Sequence, residues 1–226
     1  VPALRVVLVQ ANVRRDNPRA AEAAAALAAL APDVLVTLET SAALLAAPAL
    51  APWAHRRVSD ASTVPGAAAV WSRAPFLAPD PAARRGGHPP LTLARLPLPG
   101  GPTLQIGALH LSWPVLGAQE WQYADFHRFW GLFRAPTVIA GDFNAAPWSA
   151  MTRHVARLSR TEPMAGLRLT WGGRLGLPID QTLLSPGLGV AEATTHAIPG
   201  SDHRAVRTVL LVPAGAGPAG PAPPRP

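Results

Sequence analysis

The chain has 226 residues, 49% of them hydrophobic, with 27 prolines, 19 glycines, no cysteine and a formal net charge of +7. That length bounds it to one large domain or two small ones with a real core, and the missing thiols exclude a disulfide framework and a thiolate metal site. The charge, carried by arginine with no lysine, favours anionic partners: nucleic acid, phosphorylated small molecules or an acidic membrane surface.

No uncharged apolar run is long enough to span a bilayer. The longest, Thr40 to Trp53, holds 14 residues and two prolines. Val1-Pro2 stands where a methionine would, directly before an apolar run, which carries the expectation of a removed upstream signal, anchor or tag.

In chain order, Leu4 to Val9 is apolar except for Arg5 and reads as a buried strand, closed by Gln10 and Asn12. Asn17-Pro18 then supplies a helix N-cap and a first-turn proline for an alanine-rich helix over Arg19 to Leu30. Val34 to Leu38 is a second apolar strand closed by Glu39. Strand, helix and strand within so short a span predict an α/β layered domain. Ser41 to Leu50 reads as a short helix and Ala67 to Trp71 as a short strand, while Pro79 to Pro90 is a loop carrying Arg84, Arg85 and His88.

Leu91 to Leu96 and Thr103 to Leu109 predict a hairpin whose second strand ends at His110. Aromatic residues at Phe126, Phe129, Trp130 and Phe133 recur at helical spacing and predict a helix from Ala118 to Arg134. A further helix is expected near Ser149 to Leu158. Leu177-Pro178-Ile179-Asp180 leads into Leu183-Leu184, and Gly200-Ser201-Asp202-His203 precedes a last strand over Ala205 to Val212. Residues 1–212 read as one domain, and the Pro/Gly/Ala-rich tail 213–226 is expected to be disordered.

The stretch around which the rest is organised is Pro136-Thr137-Val138-Ile139-Ala140-Gly141-Asp142-Phe143-Asn144. An apolar, β-branched strand ends there in Gly-Asp-Phe-Asn. Side chains alternate along an extended chain, so Asp142 and Asn144 should face a cleft while Phe143 anchors the core. Taken singly, each polar residue has a bland reading: Asp-x-Asn as an Asx-type turn, Glu39 as a helix cap, His110 as a satisfied core histidine, and Asp180 and Ser201-Asp202 as turn residues. Taken together they do not scatter. Asn12, Glu39, His110, and Asp142 with Asn144 end strands; Asp180, and Asp202 with His203, begin them. A mixed sheet gathers such positions on one edge.

In this order and spacing, Asn12, Glu39, His110-Leu111, Gly-Asp142-Phe143-Asn144, Ile179-Asp180 and Ser201-Asp202-His203 resemble the endonuclease/exonuclease/phosphatase superfamily, which includes DNase I-like nucleases, inositol-phosphate phosphatases and sphingomyelinases. The run Ala145-Ala146-Pro147-Trp148-Ser149, with Thr170-Trp171 and Leu177-Pro178-Ile179-Asp180, is similar to the bacterial VanJ/YafD-like branch, whose members often carry N-terminal membrane helices before an extracytoplasmic catalytic domain.

The resemblance implies a four-layer α/β sandwich: two mixed β-sheets packed face to face with helices outside. It also implies a divalent-metal-dependent phosphoester hydrolase. Glu39 would bind Mg2+ or Mn2+ with Asn12 and Asp202. Asp142 would activate water, Asn144 would orient it, and Asp180 would pair with His203. His203 and His110 would hold the phosphate oxygens, and Arg84, Arg85 and His88 are candidates for substrate contact. The implied substrate is nucleic acid, or a lipid-linked or small phosphoester, turned over by a monomer beside an anionic membrane. The competing function is a non-catalytic phosphate-ligand or nucleic-acid binding module on the same fold. Two departures stand out: Gln181 follows Asp180 where relatives often have His or Tyr, and no glutamate near Trp71-Ser72-Arg73 is available to pair with His110.

Overall fold

The computed structural model describes residues 3–59, 67–79, 91–115, 117–129, 131–172 and 176–215. Arg84, Arg85, His88 and the tail beyond residue 215 lie outside the described residues. One sheet holds β1 (Ala3–Asn12), β2 (Val34–Thr40), β3 (His55–Val58), β4 (Ala67–Ser72), β10 (Gly189–Ala197) and β11 (Arg204–Pro213), in the order β10-β11-β1-β2-β4-β3. The other holds β5 (Leu91–Pro97), β6 (Thr103–His110), β7 (Thr137–Asp142), β8 (Glu162–Pro163) and β9 (Asp180–Leu184), in the order β5-β6-β7-β9-β8. Both sheets are mixed: β1/β2 and β6/β7 run parallel, and the other pairs antiparallel. The helices are α1 (Ala20–Ala29), α2 (Ala42–Leu45), α3 (Ala118–Asp125) and α4 (Ala150–Ser159).

The two-residue period of the strands divides their side chains between two faces. Val6 and Leu8, Val34, Val36 and Leu38, and Val70 meet Leu104 and Ile106, Val138 and Ala140, and Leu184 in the core between the sheets. Val9, Leu35 and Trp71, on the opposite face of the first sheet, pack on Ala23, Ala24 and Leu27 of α1. Ile139 and Phe143, on the outer face of the second, pack on Met151 and Val155 of α4 and on Phe126. Helix, sheet, sheet, helix is the expected four-layer sandwich. The central strands are buried on both faces, which is why they read as near-continuous apolar runs.

Three local expectations are corrected. Asn17 does not cap α1, whose N-cap is Arg19 with no side-chain bond. Its Oδ1 accepts from Arg19 N at 2.8 Å and its Nδ2 donates to Val13 O and to Pro199 O, so it ties the turn after β1 to the loop before β11. The helix expected to reach Arg134 ends at Asp125, passes through a 3-10 turn over Phe126–Phe129, and is broken at Gly131 with φ of 82°, a conformation no α-helix contains. Strands β3, β8 and β10 carry no clean alternation in sequence and emerge only by pairing along sheet edges.

Gly141 is required by a close approach. A Cβ there would lie 1.9 Å from the Leu109 carbonyl oxygen of the adjacent strand. Gly141→Ala should therefore destabilise the protein by about 2–3 kcal/mol, the scale of overpacking against a rigid core, and lower the midpoint of urea unfolding; an unchanged midpoint would show that β6 and β7 separate freely at this point.

Candidate active site

The site is the end of the sheet-to-sheet core, where the apolar pattern turns polar. On β1 the inward series Val6, Leu8 continues as Gln10 and Asn12; on β6, Leu104, Ile106 and Ala108 lead to His110; on β7, Val138 and Ala140 lead to Asp142; on β9, Leu184 is followed in the same row by Thr182 and Asp180. Thr182 Oγ1 donates to Gln10 Oε1 at 3.2 Å one layer below the site. Register aligns the row, with His110 opposite Asp142 across β6/β7 and Asp142 opposite Asp180 across β7/β9.

The first sheet contributes from the other side. Asn12 Nδ2 donates to Glu39 Oε1 at 3.0 Å and to Asp142 Oδ2 at 3.1 Å, bridging the two sheets. By simple alternation Glu39 would turn away from Leu38 and out of the cleft. A register shift between Thr37 and Thr40, with φ of 54° at Glu39, re-aims it inward. Its Oε2 accepts from Arg15 N at 3.0 Å. His203, just before β11, lies with Nδ1 2.9 Å from Asp180 Oδ2 and Nε2 3.6 Å from Asp142 Oδ2, while His110 Nε2 is 3.7 Å from the same oxygen.

Asp142 is 2% exposed. Its Oδ1 accepts from Asn144 N at 2.8 Å, so the Asx turn and the site are one structure. Asn144, at φ of 45°, donates from Nδ2 to Leu111 O at 2.7 Å, and its buried Oδ1 has no partner. Asp202 is exposed and accepts from Trp171 Nε1 at 2.8 Å.

The environment separates the titrations. Burial, with the charge of Asp180, raises the Asp142 carboxyl from its ordinary value to about 7, against the opposing effects of His203 and the bonds from Asn144 and Asn12. Burial lowers His110, which is a neutral imidazole at neutral pH. Burial alone would also lower His203, but the bond to Asp180 and the charges of Asp180, Asp142 and Asp202 outweigh it and raise it to about 9. His203 is therefore an imidazolium at neutral pH.

Oxygen and imidazole atoms of Asp142, Asp180 and His203 lie within 4.8 Å of one another. That triplet does not suit a cation well, because His203 is protonated and already bonded to Asp180. The Glu39 carboxylate is the better match: its Oε1 accepts from Asn12 Nδ2 and its Oε2 from Arg15 N, and their remaining lone pairs offer hard oxygen donors suited to Mg2+-like ions.

The family model for the endonuclease/exonuclease/phosphatase family matches residues 9–203, the span that carries every one of these residues. The chain belongs to the endonuclease/exonuclease/phosphatase family. It is a phosphoester-hydrolysing enzyme of a family that typically depends on a divalent metal. Solved structures share its fold. A family member from Beutenbergia cavernae superposes with a TM-score of 0.70 at 20% identity, over 92% of this chain and 72% of that one. One from Bacteroides vulgatus gives 0.71 at 16%, over 93% and 100%. TDP2 from D. rerio, complexed with a single-strand DNA product, gives 0.68 at 18%, over 91% and 98%. No curated protein sequence matches the chain.

Both departures from the family pattern have a structural counterpart. His110 Nδ1 is buried without a partner, so the absent glutamate is not replaced. Gln181 donates from Nε2 to Ala145 O and Pro178 O, at 2.8 and 2.6 Å, holding the loop after Asn144 against the start of β9. Further residues support the candidate site. Gln119 Nε2 donates to Phe143 O and Ser112 O, Thr170 Oγ1 accepts from Asp180 N, and Ser201 Oγ donates to Asn12 O. Ser201 had a sequence signal through Ser-Asp-His and Thr170 through Thr170-Trp171, while Gln119 had none. Asp180→Asn should bring the His203 titration down from about 9 toward the ordinary value of 6.5, read by imidazole NMR; an unmoved titration would assign the shift to another group.

Proposed function

We propose that the enzyme hydrolyses a phosphate ester with water activated at Asp142 and a cation, Mg2+ or Mn2+, held by Glu39 with help from Asn12 and Asp202. The observation that carries this reading is the buried Asp142 carboxylate, poised near pH 7 between Asn12 and two imidazoles of opposite charge state. Bound there, the cation would offset phosphate charge and polarise the ester.

The chain's own residues do the rest. Ionised Asp142 takes the proton of the attacking water. The unpartnered Oδ1 of Asn144 is an acceptor for that water or for a phosphate hydroxyl. Asp180 keeps His203 protonated, so that it donates to a non-bridging oxygen and stabilises the charge developing on phosphorus. His110 donates a second hydrogen bond as a neutral imidazole. All these groups come from one chain, which supports a monomeric catalyst.

The Pro147-Trp148-Ser149 and Leu177-Pro178-Ile179-Asp180 segments of the VanJ/YafD-like pattern, with the net charge of +7, support an extracytoplasmic, membrane-anchored enzyme beside anionic lipid, with a lipid-linked or small phosphoester as substrate. Nucleic acid is the second reading, supported by the charge and by the single-strand DNA product in the TDP2 structure. Arg84, Arg85 and His88 remain candidates for gripping either substrate.

Chelation with EDTA should abolish hydrolysis of a generic phosphodiester, and Mg2+ or Mn2+ should restore it; full turnover after exhaustive chelation would remove the role of Glu39. Asp142→Asn should lower kcat by about 10²- to 10⁴-fold with little change in ground-state binding. For the wild type, kcat should rise as Asp142 ionises through about pH 7 and fall as His203 loses its proton through about pH 9. Saturating metal should move the rising limb to lower pH, because a nearby cation favours the carboxylate. A profile flat across both limbs would contradict the assignment.

A further inference from the structure

Three segments leave the edge of the second sheet that carries His110, Asp142 and Asp180. One follows β6 into α3, one joins β7 to α4, and one leads into β9. Because β6 and β7 are parallel and β9 runs against them, all three emerge at the mouth of the site. Of the ten large hydrophobic side chains exposed among the described residues, six stand on these segments. They are Trp113, Val115, Trp148, Leu167, Leu169 and Leu177, with Trp148 63% and Leu167 61% exposed. The apolar surface runs on into the site: Trp113 packs edge-on to Trp171 at 5.1 Å between centroids, and Trp171 lies 6.4 Å from the His203 ring.

A rim of this size, gathered at the one functional edge, marks a contact surface rather than the scattered exposure that soluble proteins tolerate. Its chemistry discriminates between partners. Bases of single-stranded nucleic acid stack on aromatic faces, but they have no use for Val115, Leu167, Leu169 and Leu177. Indoles and aliphatic side chains together, beside cations, are the composition of an element that enters the head-group boundary of a bilayer. Arg153, whose guanidinium donates to the Trp148 backbone carbonyl, puts a positive charge on the same segment, and the chain as a whole carries +7.

The geometry points to this rim as the surface by which the enzyme seats on an anionic lipid bilayer, mouth down, so that the phosphate it hydrolyses is presented from the head-group layer. This rests on the hydrolase reading for the substrate, but the docking itself is measurable without turnover.

Wild type and the variants Trp148→Asp, Val115→Asp and Leu167→Asp, none of which touches the reacting groups, are sedimented with vesicles of equal parts phosphatidylglycerol and phosphatidylcholine. Turnover of soluble bis(p-nitrophenyl) phosphate is followed in parallel as a check on fold and chemistry. Wild type should partition to the vesicles, and each substitution should weaken partitioning by about tenfold, the scale of returning one large apolar side chain to water. Turnover of the soluble ester should stay within about twofold of wild type, since the substituted side chains lie outside the catalytic cluster. Wild type left in the supernatant, or variants that bind the vesicles equally well, would overturn the proposal. So would rim variants that keep vesicle binding and lose affinity for single-stranded DNA, or that convert a wild-type dimer to monomer. Rim-dependent vesicle binding without hydrolysis of any ester would leave the docking surface standing and remove the hydrolase reading beneath it.

Discussion

The side-chain amide of Asn12 holds the active site together. One nitrogen donates to a carboxylate on each sheet, Glu39 on the first and Asp142 on the second, at the point where the two sheets diverge. A buried carboxylate needs hydrogen-bond donors to remain tolerable in a medium of low polarity. Two carboxylates facing each other would repel if nothing lay between them. The amide answers both demands, and its position is set by the same alternation that places Val6 and Leu8 in the core. Support reaches it from a third direction, through Ser201 Oγ bonded to the Asn12 carbonyl.

Below this bridge the sandwich is an ordinary apolar core, and above it the same rows of side chains become the polar surface of the candidate site. That continuity gives the site rigidity, because Asn12, His110, Asp142 and Asp180 sit on strands whose neighbouring residues are locked by packing. It also makes the site costly. Glu39 and Asn144 both hold left-handed backbone conformations that non-glycine residues avoid, and Asn144 Oδ1 and His110 Nδ1 are buried with nothing to bond. Strain and unsatisfied polar atoms concentrated at one place are what a binding site shows before its ligand arrives.

The electrostatic division of labour follows from burial and neighbours rather than residue type. Two histidines on the same oxygen of Asp142 are pushed in opposite directions, His110 to the neutral form by burial and His203 to the charged form by Asp180. The surrounding loops divide in a parallel way. Gln119 and Gln181 fix backbone carbonyls beside Asn144, so the inner part of each loop is rigid, while its outer part carries the exposed indoles and leucines.

By itself the sequence determined the layers and pointed to the residues that the fold brings together at the candidate site. Apolar runs buried on both faces, the helix between β1 and β2, and polar residues at strand ends are local signals: each follows from what one stretch can bury and what it must leave near water. Asn12, Glu39, His110, Asp142, Asn144, Asp180 and His203 were legible for that reason, while Gln119 was not, since nothing local distinguishes a glutamine that bonds a distant carbonyl. The tertiary structure alone decided register and pairing. Only sheet neighbours and packing could reveal the bulge that turns Glu39 inward, the short edge strands β3, β8 and β10, the break at Gly131 and the bond from the Trp171 indole to Asp202. Only packing could assign opposite charge states to two histidines, because a proton's affinity depends on the water and charge around it, and those come from residues far apart in the chain.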